Sequence, residues 1–373
     1  MDFDFTEDQE SLRDAVRRFV DKDYGFEHRR ATVRAGGFSQ ANWEGLAGLG
    51  LMGLAVPEAH GGMGFGAIDA MVVMEELGRG IVLEPYAQAA LIAPAVLQHA
   101  GAEVKAAWLP RIAAGEALVV LAHQERSARY RLDQVATLAE GQVLTGTKSL
   151  VPAGAHADAF IVPAITSAGS AAGIALYLVE GGAAGVGTRP YLLQDGSAAA
   201  ELSLDKAPAT LLVPAPQGLA VLELAADIGI AAQAAEAVGA MDKLVAITAE
   251  YLNTRKQFGV AISSFQALRH RMADVKMQLE LARSMSYYAS LKLGEPAEAR
   301  RRALSQAKLQ LCQSTRYVGQ QCTQLHGGIG VTDEYISSHY FKRLTAMEMQ
   351  WGDSLHHLGE VSARMQDQAG VFA

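Results

Sequence analysis

The texture of the chain changes twice along its length. Apolar residues at helical spacing give way near Ala117 to short apolar runs broken by Gly, Ser and Asp, and from Leu219 long helical patterns return. Elements of those kinds in that order call for more than one layer of core, and 373 residues are enough to supply it. The expectation is an α+β multi-domain protein: an N-terminal helical domain over 1–116, a middle β domain over 117–215 and a C-terminal four-helix bundle over 216–373. The order alone points to no particular family.

Within the first part, Thr6 and Gln9 fit a capping box, and Leu12, Val16, Phe19 and Val20 follow at helical spacing. Helices are expected around Gln40–Leu49, Ile68–Leu77, Pro85–His99 and Val104–Ala114, with the Gly-rich LAVPEAHGGMGFG segment as a long loop. The strand-like runs are ALVVLAH, QVLTGTKSL, AFIVPA and IALYLVE. Leu219–Tyr251, Phe265–Leu293 and Ala297–Leu325 read as long helices, apolar on more than one stripe, which fits a bundle or an oligomer interface. Ser354–Gln366 closes the set.

Half the residues are hydrophobic and 19% are charged, the balance of a soluble globular protein. A net charge of −8 argues against a nucleic-acid partner, since no basic stripe is left to neutralise phosphates. Cys312 and Cys322 fall in one expected helix without CxxC spacing, which reads as two buried thiols in a reducing compartment. The acidic MDFDFTEDQE start lacks the apolar core of a signal peptide, and no apolar run reaches a membrane span, so a cytoplasmic location is expected. His356 and His357 are adjacent and point to different helix faces, and no HExxH spacing exists, so no metal site is expected.

Two segments carry chemistry. TRKQFG, Thr254 to Gly259, contains Arg255, whose planar fork suits a phosphate but which could equally be a surface cation at a helix C-terminus. QLHGGIG, Gln324 to Gly330, contains Gly327 and Gly328, which either let backbone approach a ligand or end a helix. GGMGFG, Gly61 to Gly66, does not follow a βαβ start and is not read as a dinucleotide loop.

In this order, and late in the chain, TRKQFG and QLHGGIG resemble the flavin-binding signatures of the acyl-CoA dehydrogenase family. The resemblance extends over essentially the whole chain and lies closest to the pimeloyl-CoA dehydrogenase small-subunit type. It implies FAD as cofactor, with Arg255, Gln257, Phe258 and Gln266 contacting the flavin nucleotide, often across a dimer interface. It assigns Gln324, Gly327 and Gly328 to the adenosine half. It also implies an acyl-CoA substrate, an electron-transfer flavoprotein as acceptor, and a dimer or tetramer, homomeric or shared with a related subunit.

The chain departs from the family in three places. A TEP-x-AGSD-like segment is replaced by AHQERSARY, Ala122 to Tyr130, where only Glu125 matches. A W-I-T-N-G-like run reads LVPAG, Leu150 to Gly154, and Pro152 has no N–H to donate. Arg126 and Arg129 could meet a terminal carboxylate of the acyl chain or be surface arginines.

The third departure concerns the base. Removing the α-proton of a thioester suits a desolvated carboxylate of raised pKa. The family's Y-E-G-T-like turn reads QWGD here, with Trp351 where the Glu would stand and Asp353 two positions on. The family's other location for the base falls near Gly229, with Glu236 two turns further along the helix. Asp353 and Glu236 are the expected catalytic residues, with Glu348 a weaker third. Asp353 is also a plausible N-cap, and Glu236 could pair with a core arginine. Three functions stay open: a self-sufficient dehydrogenase forming a trans-2-enoyl-CoA, a non-catalytic subunit completing a partner's site, or a flavin oxidase or monooxygenase of the same superfamily.

Overall fold

The computed structural model describes residues 5–166 and 173–369. The first four residues of the acidic N-terminal stretch lie outside that range. In chain order the elements are α1 (Glu7–Asp23), α2 (Phe26–Arg34), α3 (Gln40–Gly48) and α4 (Ala67–Arg79). A π-helical stretch, Ala87–Ile92, runs on into α5 (Ala93–Leu97), followed by α6 (Ala102–Ala113). The strands are β1 (Val119–Leu121), β2 (Leu138–Glu140), β3 (Val143–Pro152), β4 (Ala159–Thr166), β5 (Ile174–Glu180), β6 (Val186–Leu192), β7 (Ala198–Pro208) and β8 (Thr210–Val213). Next come α7 (Gln217–Thr254), the hairpin β9 (Lys256–Gln257) and β10 (Val260–Ala261), α8 (Gln266–Lys292), α9 (Ala297–His326), α10 (Ile336–Met349) and α11 (Ser354–Ala369). The expected order of helical, β and helical regions is the one observed.

Two compact units emerge: one of Met1–Phe26, Ala67–Val82 and Ile230–Ala373, the other of Glu27–Gly66 and Leu83–Gly229. The first is helical apart from the β9–β10 hairpin. The Thr6–Gln9 capping box that opens α1 forms both of its hydrogen bonds. Buried Glu76 on α4 accepts from Arg17 of α1 at 2.6 Å and from Arg79 at 2.8 Å. Helix α4 crosses α7 through two glycines. A Cβ on Gly78 would stand 1.9 Å from the Glu236 carbonyl oxygen, and one on Gly239 would stand 1.7 Å from that of Glu75. The core draws Val238, Met241 and Leu244 from α7, Val275 and Leu279 from α8, Leu311 and Val318 from α9, and Tyr340, Leu344 and Met347 from α10. Each of the Val, Leu and Met side chains contributes about 1.5–3 kcal/mol by leaving water. A 38-residue helix, α7 is long and apolar enough to cross a membrane by length and composition, although no such run was expected from the sequence. Yet 72% of its apolar window is buried in the protein, as in a core helix.

The second unit is built on the β sheet, ordered β6-β7-β3-β2-β4-β5-β8. Strand β5 pairs with β4 throughout, and the short β1 and β2 both pair with β4 in parallel. All of β4 from Ala159 to Ala164 is buried, which is why AFIVPA is a continuous apolar run rather than an alternating one. Between β3 and β7 the register slips after Lys148, so that Ser149 and Leu150 face the single residue Glu201. Such a bulge bends a strand and re-aims its side chains. Buried Arg29 on α2 donates to the Asp195 carbonyl at 2.7 Å, tying this helix to the loop before β7.

Candidate active site

Seven non-glycine residues among those described have positive φ: Ile81, Arg129, Leu150, Ala153, Lys206, Phe258 and Trp351. Five of them fall in the four segments singled out above: AHQERSARY, LVPAG, TRKQFG and QWGD. Left-handed backbone costs a side-chain-bearing residue on the order of 1–3 kcal/mol and persists only where the surroundings impose it. Such strain gathers at working sites, and here it coincides with residues chosen for other reasons.

In the β-containing unit, Glu125 is the centre of a buried knot. Its Oε1 accepts from Lys148 Nζ at 2.6 Å and from Thr137 Oγ1 at 2.7 Å, and Oε2 accepts from the Ala136 N–H at 2.7 Å. Burial pushes the carboxyl up, but the Lys148 charge and these hydrogen bonds outweigh it and hold it below the usual carboxylate range. Burial lowers Lys148 to about 8 against the pull of Glu125, and its ammonium also donates to the Pro163 carbonyl at 2.8 Å. Glu125 therefore anchors the loop after β1 instead of meeting a ligand. Beyond the bulge, Leu150 (φ 54) donates its N–H to Tyr191 Oη at 3.1 Å, and Ala153 (φ 47) donates to the Ala198 carbonyl at 2.8 Å. Arg126 is exposed and lies 3.4 Å from Glu201.

In the helical unit, α7 ends at Thr254 and the chain turns through the β9–β10 hairpin. Its two-residue tip, Phe258 (φ 52) and Gly259 (φ 83), has the paired positive φ of a type I′ turn. Phe258 is 91% exposed, so an aromatic ring is presented to solvent on strained backbone. Arg255, Gln257 and Gln266 are exposed around it. Gln266 starts α8, which has no acidic residue in its first turn and no side-chain cap. Its free N–H groups and the Arg255 guanidinium form a cationic surface.

The end of α9 packs on the last turn of α7, which leads into this hairpin. The His326 ring packs between Tyr251 of α7, 4.7 Å between centroids, and Tyr335, 5.3 Å away. Burial holds His326 below the ordinary imidazole pKa, and Nδ1 donates to the Cys322 carbonyl at 2.8 Å, leaving buried Nε2 without a partner. Gly327 has φ 65 and ψ −143, a conformation closed to L side chains. A Cβ on Gly327 or Gly328 would meet nothing within 4 Å, so the protein's own packing does not demand these glycines. Gln324 is exposed on the same turn. The stacking of His326 on Tyr251 joins the last turn of α7, which leads into Arg255, Gln257 and Phe258, to the end of α9, which carries Gln324 and leads into Gly327 and Gly328. Exposed cations, uncapped N–H groups and open glycine backbone form a donor set that fits a dinucleotide with a pyrophosphate.

The two base locations also come together. Gln233 of α7 donates to Gln350 Oε1 at 2.7 Å, and Trp351 packs on the cluster containing Ile230 and Ala231. Each carboxylate there is engaged. Glu236 is gripped by Arg343 through Nε at 2.8 Å and Nη2 at 2.5 Å. Glu348 is paired with Arg316. Asp353 caps α11, its Oδ1 accepting from the His356 N–H at 2.9 Å. Trp351 stands at φ 60 and Gly352 at φ 109. Two residues hold this turn, one of which sequence reasoning weighed only as a metal ligand and the other of which it passed over. His357, neutral because burial lowers it to about 3, donates from Nε2 to the Trp351 carbonyl at 2.9 Å. Fully buried Lys308 donates to Gln233 and to the Met347 carbonyl. Lys308 could have been found: it sits on the apolar stripe Leu304, Leu311, Thr315, Val318, Cys322 at alternating spacings of four and three.

The N-terminal domain model of the acyl-CoA dehydrogenases matches residues 6–116 and the C-terminal domain model matches 217–366, and the chain belongs to the acyl-CoA dehydrogenase family. Members of that family depend on FAD. The chain is 30% identical to the probable acyl-CoA dehydrogenase YngJ of Bacillus subtilis, over 95% of this chain and 97% of that one. It is 27% identical to the acyl-CoA dehydrogenase FadE27 of Mycobacterium tuberculosis, over 98% and 99%. Among solved structures, a chain of the ChsE4-ChsE5 complex from Mycobacterium tuberculosis superposes with a TM-score of 0.88 at 25% identity, covering 99% of this chain and 100% of that one.

Proposed function

We propose that this chain is an FAD-binding acyl-CoA dehydrogenase subunit that supplies no base for the α-proton and completes the site of a related subunit that does. The observation that carries it is the state of the two base locations. Trp351 occupies one, and Glu236, Glu348 and Asp353 are each held by an arginine or a helix N-terminus. A carboxylate gripped by a guanidinium is stabilised in its charged form, the opposite of what a proton acceptor of raised pKa requires. When bound, FAD would accept the β-hydrogen as hydride. Arg255 and the α8 N-terminus would neutralise its pyrophosphate, Gln324, Gly327 and Gly328 would meet the adenosine half, and Phe258, Gln257 and Gln266 would close over the nucleotide. Pro152 has no N–H and that of Leu150 is committed to Tyr191, so the LVPAG run has fewer available donors than the family's usual run.

The proposal extends to an acyl-CoA of bulky or dicarboxylyl chain, as the pimeloyl small-subunit likeness implies, to an electron-transfer flavoprotein as acceptor, and to a cytoplasmic setting. A partner fits the heteromeric ChsE4-ChsE5 neighbour. Asp353 favours a second reading, a self-sufficient dehydrogenase, because it shares the turn with Trp351. The test is anaerobic titration of the purified chain, alone and with a candidate partner, against a panel of acyl-CoAs while flavin absorbance is followed. Bleaching only with the partner is expected. Bleaching of the chain alone, abolished by Asp353→Asn, would establish the second reading.

A further inference from the structure

The segment from Met347 to Trp351 is held from three other helices. The Met347 carbonyl, one of the last of α10, accepts from Lys308 of α9 at 2.5 Å. The Glu348 carbonyl accepts from the Cys312 thiol at 3.5 Å. The Gln350 side chain accepts from Gln233 of α7 at 2.7 Å, and Gln233 in turn accepts from Lys308 at 2.7 Å. The Trp351 carbonyl accepts from His357 of α11. Helix C-termini leave carbonyls without intrahelical donors, and a cation there is favoured by the helix dipole. Here that cation comes from inside the bundle. Among the described residues no carboxylate lies within salt-bridge distance of Lys308. A leucine would suit the apolar stripe but would leave the Met347 carbonyl and Gln233 without their donor.

We propose that Lys308 is a positioning residue: directly through Met347, and through Gln233 to Gln350, it holds the Gln350–Asp353 turn and sets where the Trp351 indole stands. What the turn faces rests on the flavin reading above; the clamp itself does not. Trp351 sits on backbone that relaxes unless held, so the clamp and the strain explain one another. With its donor gone, the turn relaxes and the indole moves.

The chain has three tryptophans, Trp43, Trp108 and Trp351, so 5-fluorotryptophan labelling of the whole chain yields three fluorine resonances, with Trp351→Phe identifying the third. Lys308→Met is expected to shift and broaden the Trp351 resonance while leaving the other two in place. Val275→Ala, which thins the neighbouring core that includes Met347, lowers Tm and leaves Trp351 where it was. An unmoved Trp351 resonance in Lys308→Met, or an equal displacement in Val275→Ala, overturns the proposal. Should Lys308→Met not fold, Gln233→Leu cuts the bridge to Gln350 alone and is read in the same way. The fluorine signal needs no flavin. A colourless protein therefore speaks against the flavin reading, and a static Trp351 signal against the clamp.

Discussion

Lys148 and Lys308 are both fully buried, one in each unit, and they are stabilised in opposite ways. Lys148 meets Glu125 at 2.6 Å, charge against charge, and the pair ties a loop to β3. Lys308 donates to neutral oxygens, an amide and a helix-end carbonyl, and feels the charges of Glu348 and Asp353 only from beyond salt-bridge distance. An ion pair repays part of its desolvation by Coulomb attraction, and removing one member strands the other. An ammonium held by dipoles leaves only unsatisfied neutral acceptors behind when it goes. The first arrangement suits a scaffold, and the second suits a contact that orients something without being essential to the fold.

That contrast can be broken first by truncation. Lys148→Met should destabilise by about 3–5 kcal/mol, because Glu125 becomes a buried charge without its counter-ion. Lys308→Met should cost about 1–3 kcal/mol. Urea unfolding of the two variants ranks them, and an equal or larger loss for Lys308→Met would erase the distinction.

A buried carboxylate sharpens the same rule from the other sign. Glu84 accepts from the Ser39 N–H at 3.0 Å and the Asn42 amide at 3.3 Å, while its Oε2 has no partner. Without a counter-ion, burial raises it from 4.5 to about 7. The folded protein then keeps a proton that the unfolded chain has released, so this group's contribution to stability falls as pH rises from about 4.5 to about 7. The loss across that window is roughly 3 kcal/mol. Glu84→Gln should remove it, which denaturation at mildly acid and neutral pH would detect. A slope unchanged in the variant would show that Glu84 is charged despite its burial.

The smallest effect concerns strain rather than charge. Phe258→Asn gives the I′ turn a residue that tolerates its backbone and should raise stability by about 1 kcal/mol, while weakening retention of FAD. A lower Tm would mean that the edge-to-face packing of Phe258 on Phe265, 6.2 Å between centroids, outweighs the strain.

Much of the fold could be read from periodicity. The long helices and the buried strands β3, β4 and β5 declared themselves through apolar spacing. Helix α10 did not, because ISSHYFKRLTAMEM opens on serines and a histidine, and its core stripe of Tyr340, Leu344 and Met347 is mixed with polar neighbours. Edge strand β6 was equally silent, being exposed over most of its length, so no alternation marks it. In the site, glycine signalled Gly327 and Gly328, but nothing in a sequence marks Leu150, Ala153 or Trp351 as left-handed. Long-range hydrogen bonds impose those conformations, and local propensity gives no hint of them.

The crossing of α4 and α7 is more than a close fit. With Gly78 facing the backbone of Glu236 and Gly239 that of Glu75, each helix carries a notch that receives the other's main chain. Two interlocking notches resist sliding along either axis, much as a halved joint does in carpentry. The vertical position of Glu236, and of every residue α7 presents around the 350–353 turn, is therefore indexed against a helix more than 150 residues earlier in the chain. A single methyl group at either notch would disturb that index before it touched any residue of the site.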